Sequence, residues 1–250
     1  MTLQEQFAEQ GYVTGLRIMS PEEMTGYRRE FDRIEAAQGS QASQVGIMNR
    51  HKEEPSFWAL VSHPHILDAV EQILGPDILL LGSHFFCKYP NLSESYVAWH
   101  QDVTYWGLMP PKAISAWLAL DDADVENGCM RVISGSHCSG LLPHGKADQA
   151  GNLLSVNQEI PAELVDSSKA VDLPLQAGMA SIHDGTMVHG SNPNRSTRRR
   201  CGLTIRFTTP DVRPASQDTN FAKWKPILIR GQDRYGYFEL DPLPDFKRSL

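Results

Sequence analysis

A chain of 250 residues with 41% hydrophobic and 21% charged residues can bury a sizeable core, and this usage excludes a disordered segment, a collagen-like repeat or a coiled coil. The 23 Lys and Arg against 30 Asp and Glu leave a formal charge of -7, which argues against an indiscriminate grip on a phosphate backbone, so nucleic acid is not an expected partner. The longest apolar run, residues 78–81, is only a strand's worth, and no membrane span or membrane partner is expected.

The first eleven residues are too polar for a signal-peptide core, and Cys87, Cys129, Cys138 and Cys201 are scattered without CxxC spacing. Free thiols in a reducing cytoplasm are therefore expected, and the sequons at Asn91 and Asn194 read as chance matches.

In chain order, residues 3–10 form a short predicted helix, and Ser20-Pro21-Glu22-Glu23 supplies an N-cap and a Pro at the first helical position before a run to Gln38. Residues 39–46 read as a polar loop. From Pro64 to Leu74 the apolar residues Ile66, Leu67, Val70, Ile73 and Leu74 fall on one helical face, which Gly75-Pro76 ends. Thereafter short β-rich segments follow at 78–89, 113–120, 129–134, 179–183 and 200–209, bounded by Gly, Pro, Asn and Asp. Glu126-Asn127-Gly128 is a hairpin-type turn, and the polar stretch 139–168 reads as an excursion over the mouth of the fold. The expected organisation is one domain over 1–250: a helical prologue at 1–76, a jelly-roll core at 77–210 and a tail at 211–250. The expected fold class is mainly β with flanking helices, a double-stranded β-helix of the cupin-like jelly-roll type.

The chemistry centres on Trp99-His100-Gln101-Asp102. In an extended segment residues i and i+2 project to the same side, so His100 and Asp102 can converge. His189, beside Gly190, supplies a third ligand from a later strand, and two His with one carboxylate make the facial triad of non-haem Fe(II) oxygenases. His183 competes for that role, but a hydrogen-bonded core or supporting position suits it better. A keto acid bound to such a metal needs a cation for its far carboxylate, and Arg grips carboxylates bidentately. Strand alternation puts Arg200, Gly202, Thr204 and Arg206 on one face, which favours Arg198 or Arg200 over Arg199.

These residues resemble the phytanoyl-CoA dioxygenase-like (PhyH) family of Fe(II)/2-oxoglutarate-dependent oxygenases over most of the chain. The resemblance is carried by Gly75-Pro76, His100-Gln101-Asp102, residues 115–122, residues 126–130, Gly135-Ser136-His137 and His189-Gly190-Ser191 with the Arg that follows. It implies Fe(II) on His100, Asp102 and His189, with 2-oxoglutarate as cosubstrate, O2 as oxidant and ascorbate in support. It also implies that Arg200 holds the C5 carboxylate of 2-oxoglutarate, with Ser191 assisting and Trp117 bordering the cosubstrate. Ser134 departs from the Pro usual before Gly-Ser-His, a turn position remote from the chemistry. Halogenases of the family replace the carboxylate with a small residue; Asp102 is present, so hydroxylation of an unactivated carbon is the default.

For the substrate, Asn49, Arg50 and His51 could reach the mouth from a loop and attract an anion, against the plainer reading of a basic patch paired with Glu53 and Glu54. Tyr105 and Trp106 follow the metal segment and are candidate pocket walls, and Lys88, Arg206 and Arg213 are further cations that could face the mouth. A small polar or anionic metabolite, amino-acid-like or an organophosphonate, is expected; the alternative is a secondary-metabolite scaffold held by aromatics. A non-catalytic cupin-like metal-binding or sensor protein would have no need of Arg200 with Ser191, and a Zn hydrolase would need a further general base.

Overall fold

A computed structural model describes residues 1–90, 92, 94–215 and 225–248. Helix α1 (Leu3–Gln10) starts in a capping box, with the Thr2 hydroxyl accepting from the Glu5 amide and the Glu5 carboxylate from the Thr2 amide. Ser20 and Glu23 repeat the device at α2 (Pro21–Gln38). Helices α3 (Pro55–Val61) and α4 (Pro64–Leu74) follow, the second capped by His63, whose ring accepts from the His65 amide.

The prologue is not purely helical, because β1 (Tyr12–Arg17) lies inside it. The later strands are β2 (Ile78–Lys88), β3 (Val97–His100), β4 (Ile114–Ala119), β5 (Met130–Ile133), β6 (Ala170–Leu173), β7 (Met179–Asp184), β8 (His189–Ser191), β9 (Arg200–Thr208) and β10 (Ile227–Arg230). They form a six-stranded sheet, β1-β7-β4-β9-β2-β10, and a four-stranded sheet, β3-β8-β5-β6, antiparallel throughout. Two facing antiparallel sheets with helices packed outside are the expected jelly roll.

Four elements correct the sequence reading. Strand β1 and the tail strand β10 each pair with the large sheet; each is four to six residues long and is specified by its partner rather than by its own periodicity. Helix α3, seven residues, is too short for a helical face to stand out. The stretch 39–46 contains a one-turn helix, Ser40–Ser43.

Register explains how the large sheet separates core from site. Paired residues share a face, and β9 runs Arg200↔Lys88, Gly202↔Phe86, Thr204↔His84 and Arg206↔Gly82 against β2, with Thr204↔Trp117 and Arg206↔Ser115 against β4. This inward set is polar or aromatic. The alternate residues Cys87, Phe85, Cys201, Leu203, Ile205 and Phe207 point outward and pack under Met24, Phe31, Phe57, Leu60, Ile66 and Val70 of the helices. Burial of that second face on helices supplies the main apolar core.

Among the described residues no helix is long and apolar enough to cross a membrane. The Asn194 side chain is buried and donates to the carbonyls of Lys88 (3.2 Å) and Arg198 (2.6 Å), a tie within the fold. Asn91 lies outside the described residues.

Candidate active site

His100 closes β3 and pairs in register with His189, the first residue of β8, so that two residues 89 positions apart stand side by side with ring centroids 4.1 Å apart. Each ring turns Nδ1 to backbone carbonyls: His100 to Ala98 (2.9 Å) and His189 (3.1 Å), and His189 to Met187 (3.0 Å). Nδ1 is thereby the protonated nitrogen, and the Nε2 lone pairs face Asp102.

Asp102 opens a 3-10 turn directly after β3. Its Oδ1 lies 3.5 Å from His100 Nε2 and 4.0 Å from His189 Nε2, and one ligand atom from each of the three residues falls within 4.8 Å of the others. On the other oxygen, Ser115 Oγ donates at 2.6 Å and His183 Nε2 stands at 3.4 Å. His183 therefore abuts the carboxylate from behind and is not part of the three-residue cluster.

Burial alone would raise the Asp102 pKa, but the adjoining imidazoles of His100 and His183, with the fields of His189 and Arg206, hold it well below the usual carboxylate range. Burial, with His100 and His183 nearby, pushes His189 well below the usual imidazole range, toward the neutral form that ligates a metal. Two imidazole nitrogens and one carboxylate oxygen converging from one side fit an octahedral ion that keeps open positions, better than a closed tetrahedral zinc site.

Residues between and beside the ligands fix their placement. The buried Gln101 side chain donates to the carbonyls of Gly140 (2.8 Å) and Thr186 (2.6 Å) and accepts from the Leu142 amide (2.8 Å), tying the turn to two loops. Ser136 of the Gly-Ser-His turn accepts from the Val188 amide at 2.9 Å, immediately before His189.

The cavity lined by this cluster also holds Trp106, Trp117, Ser191, Arg200, Thr204 and Arg206. Arg200 is 2% exposed, its guanidinium lies 4.7 Å from the centre of the Trp117 ring, and its Nε has no hydrogen-bond partner. Burial brings its pKa down from 12.5 to about 10. Its neighbours point elsewhere: Arg198 pairs with Asp124 and Glu126 at the surface, and Arg199 with Asp32, Glu35 and Asp121. Across the strand pair from Arg200, the fully buried Lys88 donates to Ser191 Oγ (2.6 Å) and to the Asn192 carbonyl. Burial, and then Arg200, drive the Lys88 pKa well below its usual value. Among the described residues no carboxylate pairs with Arg200 or Lys88. Gly202 makes room for the indole, since a Cβ there would sit 2.0 Å from Trp117 Cζ2.

The loop cluster predicted for substrate does not reach the cavity. Asn49, in the left-handed region (φ 52°), accepts from the Ser83 amide at 3.0 Å. Arg50 pairs with Glu53 (3.0 Å) and Glu54 (3.0 Å), the plainer reading, because those carboxylates stand one helical turn away. His51 is buried against Ser83 Oγ at 2.7 Å. Arg213 is exposed, paired through its backbone with Met109. Trp106 does line the cavity; the Tyr105 side chain lies outside the described residues. Leu154, Ser155, Val156 and Gln158 of the 139–168 excursion complete the wall, as the polar stretch led us to expect. Trp99 is only half-buried, covered by the Arg131 guanidinium at 5.7 Å. Ser115, Gln101 and the anchoring role of Lys88 carried no sequence signal beyond their place beside the motifs.

A jelly roll with this buried His, Asp and His cluster and an unpaired arginine beyond it defines an Fe(II)/2-oxoglutarate-dependent dioxygenase. Residues 7–202 match the phytanoyl-CoA dioxygenase (PhyH) family, and the chain belongs to it. A solved non-heme monooxygenase, ThoJ in its apo form, is 32% identical, with 99% of this chain and 91% of that chain covered and a TM-score of 0.81. The probable alpha-ketoglutarate-dependent hypophosphite dioxygenase of Stutzerimonas stutzeri is 24% identical, covering 92% of this chain and 85% of the relative. The peroxisomal phytanoyl-CoA dioxygenase of Mus musculus is also 24% identical, over 95% and 78% respectively.

Proposed function

We propose that this enzyme hydroxylates an unactivated carbon of a small polar or anionic metabolite, consuming 2-oxoglutarate and O2 and releasing succinate and CO2. One oxygen atom enters the substrate C–H bond and the other enters succinate, so electrons balance without a further reductant. A cytoplasmic setting, read from the scattered cysteines, is part of the same proposal.

In this reading His100, Asp102 and His189 hold Fe(II) through Nε2, a carboxylate oxygen and Nε2. Iron chelated by the keto acid supplies the oxidising chemistry when bound. The protein's own contributions follow from the geometry. Ser115 holds Asp102 by the oxygen turned away from His100 and His189, with His183 standing beside it, which fixes the carboxylate's angle. Arg200 receives the far carboxylate of 2-oxoglutarate, Trp117 forms the flat wall beside it, and Ser191 is oriented by Lys88. The observation that carries the reading is the buried Arg200, unpaired at Nε and lining the same cavity as the cluster. A burial cost of that kind is sustained where a ligand supplies the missing anion. It also disfavours a pure metal-binding module, which has no use for it.

The small-anion part is supported by the cations of the cavity and by the Stutzerimonas relative, which is named for hypophosphite. The test is a metabolite-library screen for substrate-stimulated, oxygen-dependent succinate formation. His189→Ala is expected to abolish turnover and Fe(II) binding while leaving the thermal transition intact; full activity in that variant removes the ligand assignment.

A further inference from the structure

Arg206 sits six residues beyond Arg200 on the same inward face, which at a strand's rise places it about 20 Å along β9. It too lines the cavity, its Nε has no hydrogen-bond partner, and among the described residues no carboxylate oxygen lies within 4 Å of its guanidinium. Its counterpart on β2 is Gly82, which contributes no side chain beside it. Its guanidinium lies 5.4 Å from the centre of the Trp106 ring.

The surroundings complete a subsite of mixed character. Thr204, two residues back on the same face, brings a hydroxyl, and Phe86 with His84 makes an aromatic pair at 4.3 Å between ring centroids. His84 donates from Nε2 to the Val45 carbonyl at 2.6 Å, and burial, with Arg206 nearby, lowers its pKa to about 4, so it adds no competing positive charge.

We infer that Arg206 is the specificity-determining cation of this enzyme: it receives an anionic oxyacid group, carboxylate or phosphonate, of a substrate whose apolar or aromatic part lies against Trp106 and Phe86. Arg200 and Arg206 then divide the cavity between two anions, the cosubstrate at one end and the substrate at the other, with the His, Asp and His cluster between them. This rests on the dioxygenase reading for the position of the substrate carbon. A rival role, in which Arg206 serves only to balance Asp102, is disfavoured by the lack of a direct pair between them, and it predicts a different result below.

The protein holding Fe(II) and saturating 2-oxoglutarate, kept free of oxygen, is titrated calorimetrically with 3-phenylpropionate, 2-phenylethylphosphonate and the uncharged 3-phenylpropan-1-ol. At least one anion is expected to bind roughly tenfold or more tightly than the alcohol, a charge-assisted contact; which anion binds better distinguishes carboxylate from phosphonate. Arg206→Gln should erase that preference and Arg206→Lys keep part of it, with 2-oxoglutarate affinity and the thermal midpoint of both variants near wild type. The inference is overturned if no probe binds, if the alcohol binds as well as the anions, if the preference survives in Arg206→Gln, or if that variant weakens 2-oxoglutarate by the same factor. Failure of 2-oxoglutarate to bind the Fe(II) protein removes the dioxygenase reading instead. An Arg206-dependent anion preference in the unloaded protein would then still support the subsite.

Discussion

Replacing Arg200 by Met should make the protein more stable and less able to use its cosubstrate, two effects of opposite sign from one side chain. Burial lowers the Arg200 pKa from 12.5 to about 10. At 1.36 kcal/mol per pK unit this corresponds to about 3 kcal/mol against folding with the charge in place. The sign follows from proton uptake. The folded state holds this proton less tightly, so the full penalty is present at every pH below about 10 and fades only as pH rises toward 12.5. Stacking on Trp117 offsets about 1 kcal/mol of it, leaving a gain of about 2 kcal/mol for an apolar side chain of similar length. The assay is thermal unfolding at pH 7 with Fe(II), without oxygen, over a range of 2-oxoglutarate. The Met variant should melt higher than wild type without cosubstrate and should lose most of the further rise that 2-oxoglutarate gives wild type. The expected loss of affinity is about 10- to 100-fold, the value of a charged hydrogen-bonded pair. A variant that melts lower than wild type without cosubstrate, or is stabilised as strongly by 2-oxoglutarate, refutes the reasoning.

Ser115→Ala removes the 2.6 Å bond to the outer oxygen of Asp102 and should weaken Fe(II) binding about 10-fold, measured by metal titration, with little change in fold. Gly202→Ala puts a methyl group 2.0 Å from the Trp117 ring; it should destabilise by about 1–3 kcal/mol in denaturant unfolding and raise KM for 2-oxoglutarate by displacing the indole. Burial lowers the His51 pKa to about 4 from 6.5, so its contribution is complete above pH 6.5 and is lost as pH falls to 4. That loss is about 3 kcal/mol, and His51→Gln should flatten the stability profile over this window, read from denaturant midpoints at successive pH values.

The parts of the site legible in the sequence were those tied to strand periodicity. His100 and Asp102 stand two apart at the end of an extended segment, and the alternation along β9 separated Arg200 from Arg199 before any contact was known. Arg198 shares that parity, yet it lies before the strand begins and its guanidinium swings to Asp124 and Glu126. The loop at 49–51 misled because an arginine such as Arg50 looks alike in sequence whether its partner is a substrate or the carboxylates one turn on. Strands β1 and β10 were missed for a related reason: short edge segments acquire their conformation from the neighbour they pair with, which local sequence does not encode. Ser115 and Gln101 are ordinary polar residues whose importance comes only from the atoms brought opposite them.

The bond between Ser115 and Asp102 joins two layers of the molecule. His100 and His189 belong to the small sheet, whereas the other oxygen of Asp102 is held by Ser115 of the large one. With iron bound as proposed, the ion would tie one sheet to the other through this carboxylate. Loss of the metal would then remove a tie between the sheets together with the chemistry, and the free energy of iron binding would be shared by both sheets instead of residing in one loop.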